Sequence, residues 1–201
     1  MPRLWVALPE AARDTAPGFE HYAPQEVAGE GWRAHVFLGS LLGDRSPVTT
    51  FTPLLGAETV LDPGTTLALP VEEAFEHGVL VDLGSVTVGD LDAHSADLAY
   101  VPTGAQEITL VAGEEGARLL VLGGPPFGES IVMWWNFVGR THEEVVAYRA
   151  AWQEQITDPA TGEVLDDSRL VAPGRFGVVP DQPLRPIPAP GLPNARLRER
   201  R

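Results

Sequence analysis

The chain has 201 residues, 44% hydrophobic and 7% aromatic, which suits one sizeable domain with tails. Its net charge is −14 and every basic residue is arginine, so direct binding to a nucleic-acid polyanion is excluded. Without cysteine it has no disulfide or thiolate chemistry, and it shows neither a membrane-length apolar run nor a basic-then-apolar leader, so a cytoplasmic protein away from membranes is expected.

Leu4-Trp5-Val6-Ala7-Leu8 is a short apolar run closed by Pro9 and is predicted to be a strand. An unpaired apolar strand is an exposed edge. It either folds back on the domain or pairs with a second copy or another protein, with Trp5 a candidate contact. Phe19 to Ala28 is polar and turn-rich and is expected to be a linker. Short β-like runs follow: Trp32–Leu38, Val48–Thr52, Glu58–Leu61, Thr66–Leu69, Val79–Leu83, Ser85–Val88, Asp97–Val101, Glu107–Leu110 and Arg118–Leu122. Turn residues separate most of them, among them Asp62-Pro63-Gly64, Gly89-Asp90 and Pro102-Thr103-Gly104. Many short strands with such punctuation predict an all-β antiparallel sandwich or barrel.

Gly123-Gly124-Pro125-Pro126 makes a turn, Ile131 to Val138 an apolar strand, and Thr141 with Glu144 a capping box that starts a helix. Val145, Tyr148 and Trp152 give that helix an apolar face. As alternating strand residues, one of Trp134 and Trp135 is expected to face the core and the other an interface or ligand cleft. Asp158 to Arg201 is rich in proline and ends in arginines, and it predicts an extended, disordered tail.

The wording GGPPFGE-x-IVMWWNFVGR-x-HEE, residues 123 to 144, resembles the end of the second cupin domain of the pirin family. The likeness extends from Leu4 to Trp152. It implies a cupin-type, jelly-roll-like antiparallel β-barrel with a C-terminal helix and a Pro-rich tail. The boundaries it suggests are an arm and linker over 1–29, left from a first cupin, a cupin domain over 30–156, and the tail over 157–201.

Cupins hold a divalent metal, usually iron, manganese or zinc, on histidines and a carboxylate that point into the barrel. Laid on the first cupin motif, Gly64 and Gly84 keep the framework, while the two histidine positions hold Pro70 and Glu72 and the glutamate position holds His77. In the second motif Pro102 and Gly104 fit, Ala96 replaces the opening glycine, and the histidine and asparagine positions hold Glu107 and Val111. Glu72, His77 and Glu107 are thus the candidate ligands of a site for which no metal is expected. The pirin metal motif, with Fe(II) or another divalent metal, belongs to the family's first domain and precedes the Leu-Trp-Val strand. This chain opens at Met1-Pro2-Arg3, so no catalytic residue and no cofactor are expected in it. His21, His35, His94 and His142 are scattered, no Gly-x-Ser-x-Gly elbow occurs, and without lysine there is no phosphate-binding loop.

The resemblance supports two functions. One is a non-catalytic binding, scaffold or regulatory module that works through a protein partner or a homodimer. The other is a metal-dependent oxygenase of the quercetin 2,3-dioxygenase type, its metal-bearing half supplied in cis or in trans.

Overall fold

The computed structural model describes residues 4–165, 176–177 and 184–200. Met1-Pro2-Arg3 and Arg201, named above, lie outside them, as does part of the Pro-rich segment read as a tail. The chain divides into two compact units, residues 19–127 and residues 1–18 with 128–201.

Unit 19–127 is the barrel. Its elements in order are β1 (Glu26–Gly29), β2 (Trp32–Leu38), β3 (Ser40–Leu41), β4 (Asp44–Arg45), β5 (Leu55–Leu61), β6 (Thr66–Pro70), β7 (Glu76–Val88), β8 (Leu91–His94), β9 (Leu98–Val101) and β10 (Glu107–Gly124). Every pairing is antiparallel, and the large sheet runs β1-β2-β5-β10-β7-β8, with β6 added on β10 and β9 on β7. The all-β cupin-type architecture expected from the sequence is the one observed.

Two long strands carry this unit, and each spans what the sequence divides into two short ones. Strand β7 passes through Gly84, whose φ of +75° suits a residue without Cβ; an added Cβ would sit 2.0 Å from the Gly116 carbonyl oxygen. Strand β10 has its irregularity opposite, between Ala112 and Ala117. Before and after these bends the strands have different neighbours. The first half of β7 pairs with β9 and the second with β8, while the first half of β10 pairs with β6 and the second with β5. Alternate residues from both halves, including Val79, Val81, Val86, Val88, Ile108, Leu110, Leu119 and Val121, meet in one buried cluster with Val36, Ala57 and Leu61. Period-two alternation places them on the inner face.

Two segments differ from the sequence reading. The stretch expected to be linker ends in β1, which pairs with β2 from Glu26↔His35 to Gly29↔Trp32, so the 29/30 boundary falls within a hairpin. Val48–Thr52 is not a strand. It follows the short β3–β4 hairpin and returns to β5.

Unit 1–18 with 128–201 contains a 3-10 turn (Glu10–Ala12), the hairpin β11 (Val132–Trp134) and β12 (Phe137–Gly139), and helix α1 (His142–Ile156). Leu4–Leu8, expected to be a strand, has no ladder partner among the described residues. Thr141 caps α1 as expected, its hydroxyl accepting from the Glu144 amide at 3.1 Å. Val145 and Tyr148 are buried and Trp152 is packed beside them with Val132 and Phe137. Residues 184–200 of the segment read as a tail are extended and bound to α1. Trp152 Nε1 donates to the Ile187 carbonyl (2.9 Å), Arg149 Nε to the Pro190 carbonyl (2.6 Å), and the Ala189 amide to Gln153 Oε1 (2.7 Å). The Ile131↔Arg200 bridge and the Arg196–Glu143 ion pair hold the far end. Among the described residues no helix is long and apolar enough to cross a membrane.

Candidate functional site

The barrel unit carries a cavity of about 570 Å³ between the β3–β4 hairpin, the start of β5 and the Val71–Phe75 turn. The hairpin turns on Leu42 and Gly43, both at positive φ, as a two-residue connection requires. Ser46 latches it. The Ser46 amide donates to the Gly39 carbonyl (2.9 Å), and its hydroxyl donates to the Phe37 carbonyl (2.8 Å) and accepts from the Val48 amide (3.2 Å). This bracing turns Leu41 into the core and leaves Arg45 on the cavity wall. Across the cavity, the Val71 amide donates to the Gln106 carbonyl and the Phe75 amide to the Glu72 carbonyl, which fixes Glu72 and Phe75 on the facing wall. Leu54 and Leu55 complete an apolar back wall.

His77 lies behind this wall. It is on the inner face of β7, level with Gly123 on β10 and Val101 on β9, and Gly123 in turn pairs with Leu55. His77 is 2% exposed, and neither ring nitrogen has a hydrogen-bond partner among the described residues. The ring reaches over Gly123, where an added Cβ would be 2.8 Å from the imidazole Cδ2, and its centroid is 6.1 Å from that of Phe75. Burial disfavours the imidazolium and pushes the His77 pKa below its ordinary value.

The three candidate metal ligands are not brought together. Glu72 is exposed at the cavity rim. Glu107 is exposed opposite Pro70, one residue out of phase with Ile108, which points into the core. Only His77 of the three points inward, and among the described residues no three His, Cys, Asp or Glu side chains are grouped as a metal requires. This donor set does not fit the cupin metal ion, and no step is derived through one.

From residue 128 on, the conspicuous wording of residues 123–144 belongs to a different kind of site, in the other unit. Arg140 Nη2 reaches the Glu129 carboxylate (2.6 Å) and the Leu8 carbonyl (2.6 Å). Glu129 also accepts from the Glu10 amide at 3.0 Å. Arg13 pairs with Glu144 at 2.6 Å and with Glu10 at 3.3 Å, and Glu144 accepts from the Arg140 amide at 2.6 Å. Glu144 therefore reaches one residue further back than the capping box predicts. The Arg13 hydrogen bond is the largest of the effects that hold its carboxyl below the ordinary glutamate range. Together these bonds fasten residues 8–13 to the hairpin and helix. Arg13 and Glu10 had no sequence signal, because their partners Glu144 and Glu129 lie far along the chain.

Of the candidate interface residues, Trp5 is 55% exposed and lies beside a cavity of about 240 Å³ that Leu8, Arg140 and Tyr148 also line. Trp134 and Trp135 do not alternate in and out. Trp134 ends β11 and Trp135 is in the turn at φ +50°, and both are half-buried against Phe137 with ring centroids 6.4 Å and 5.2 Å away. The β-hairpin replaces the single strand expected there, which is why two adjacent residues reach one cluster.

The model of the Pirin C-terminal cupin domain matches residues 56–157. A Pseudomonas aeruginosa protein provisionally named a quercetin 2,3-dioxygenase is 37% identical over 172 residues, 85% of this chain and 54% of its own. A pirin-like protein of Caulobacter vibrioides is 30% identical over 155 residues, 75% of this chain and 52% of its own. The crystal structure of a quercetin 2,3-dioxygenase from Acinetobacter baumannii superposes with a TM-score of 0.76 at 31% identity, covering 95% of this chain and 58% of that one. The chain spans about half the length of the curated relatives it matches.

Proposed function

Since the chain belongs to the pirin family, through its C-terminal cupin domain, we propose that it acts as a non-catalytic binding or scaffold module of that family in the cytoplasm. The observation that carries this reading is the barrel interior. His77 is its one inward-facing candidate ligand, while Glu72 and Glu107 point to solvent. Oxygen chemistry on a cupin metal needs several donors converging on one ion with positions left open, and an isolated imidazole does not offer that. The apolar arm Leu4–Val6, exposed around Trp5, is the surface we assign to a protein partner or a second copy.

Oxygen uptake with quercetin, measured on the iron-reloaded chain by itself, tests the reading. No uptake above the iron blank is expected. Sustained flavonol cleavage by this chain alone would overturn it.

The names of the relatives favour a second reading, in which the chain takes part in an oxygenase of the quercetin 2,3-dioxygenase type. The metal would then come from another cupin domain, in cis or in trans. Uptake that appears only on adding the N-terminal half of a full-length relative, and is lost on Trp5→Ala, would favour it.

A further inference from the structure

The cavity of the barrel unit presents two opposite charges that do not neutralise each other. Arg45 and Glu72 both line it, and neither side chain makes a hydrogen bond or ion pair among the described residues. Arg33 and Arg198 are likewise without a side-chain partner among the described residues, but neither lines this cavity. Arg13, Arg118, Arg140 and Arg196 each hold a carboxylate, as expected in a chain of net charge −14. Arg45 is nonetheless left open, on a hairpin whose position the Ser46 bonds fix. Glu72 stands on a braced turn on the facing wall. Leu41, Leu55 and the Phe75 ring line the same cavity, with the hydroxyl residues Ser40, Ser46 and Thr50, and behind Leu55 and Phe75 lies the imidazole of His77.

We propose that this cavity binds a small zwitterion with an apolar body, an α-amino acid of the phenylalanine or leucine type. The proposal rests on the binding-module reading and names its ligand. The guanidinium takes the carboxylate, for which its planar fork is suited. The Glu72 carboxylate takes the ammonium, and the side chain packs on Leu55 and Phe75. Each charge also rejects a wrong ligand: a dicarboxylate meets Glu72 and a diamine meets Arg45. The volume is in the range of small-molecule sites, and an apolar wall with a few placed polar groups is their usual make-up.

Titration of the chelator-treated chain with L-phenylalanine, phenylacetate and phenethylamine tests this, followed by calorimetry and by NMR of the His77 ring. Phenylalanine is expected to saturate the chain, to shift the His77 ring signals, and to bind at least tenfold more tightly than either half-ligand. Arg45→Met and Glu72→Gln, both at exposed positions, should each weaken phenylalanine at least tenfold with unchanged circular dichroism. The proposal is overturned if phenylacetate binds as tightly as phenylalanine, if either variant keeps full affinity, or if neither phenylalanine nor leucine saturates by about 10 mM, where little recognition energy remains. Metal is absent throughout, so failure here leaves the metal-free reading intact. Uptake of iron would in turn damage that reading without touching this titration.

Discussion

Arg140 and Glu129 meet at 2.6 Å across the β11–β12 hairpin, and the same guanidinium nitrogen bonds the Leu8 carbonyl. The most recognisable wording in the chain therefore builds a clamp on the N-terminal arm. Arg140 is only 16% exposed, so removing one side strands the other in a poorly solvated place. Arg140→Met is expected to destabilise the chain by about 2 kcal/mol and to open residues 4–13 to protease. Urea unfolding and limited proteolysis read both. An unchanged midpoint with a protected arm would show that the clamp contributes nothing.

Arg13 holds Glu144 ionised below the ordinary glutamate range. A carboxyl whose pKa is lowered on folding adds stability above its unfolded pKa and loses it as the pH falls through the folded value. Stability should thus decline as the pH drops below about 4.3, and Glu144→Gln should flatten that limb while lowering stability at neutral pH. Thermal unfolding from pH 3 to 7 measures the slope. A variant with the same acid limb would contradict the assignment.

His77 acts at higher pH. Its folded pKa is lowered by burial, so the unfolded chain takes up the proton first and stability falls as the pH drops below about 6.5. His77→Leu removes that proton uptake and two unbonded core nitrogens. It should be neutral or stabilising by about 1 kcal/mol near neutral pH, and more so at pH 5.5. Loss of about 2 kcal/mol or more at both pH values would mean that the imidazole has a partner of structural weight.

Ala189 is 6% exposed against α1, in the Pro-rich segment. Ala189→Asp buries a charge there and should cost about 2 kcal/mol, with loss of hydrogen-exchange protection at the Ala189 and Leu197 amides. Wild-type protection in the variant would show that residues 184–200 do not depend on this contact.

Much of the architecture was legible. Alternation and turn residues gave the antiparallel β-class, and Thr141 gave the helix start. The errors have a common physical source. The strand runs Val79–Leu83 and Ser85–Val88 break at Gly84, yet inside a strand a glycine's conformational freedom makes a bend, and local sequence does not distinguish a bend from a break. The hairpin at Trp135 was missed because a bulky residue rarely takes positive φ. Pro-rich composition described residues 184–200 as extended but not the partner they lie on. In the candidate site, His77 was found because a family motif pointed to its position. Arg45 was not, since its importance comes from a cavity closed by residues up to 30 positions away.

Metal content of the purified chain tests the central claim most directly, by elemental mass spectrometry after chelation and reloading with iron. A molar ratio near zero is predicted, unchanged in His77→Ala. A ratio near one that His77→Ala abolishes would contradict the account and make the barrel interior a working metal site.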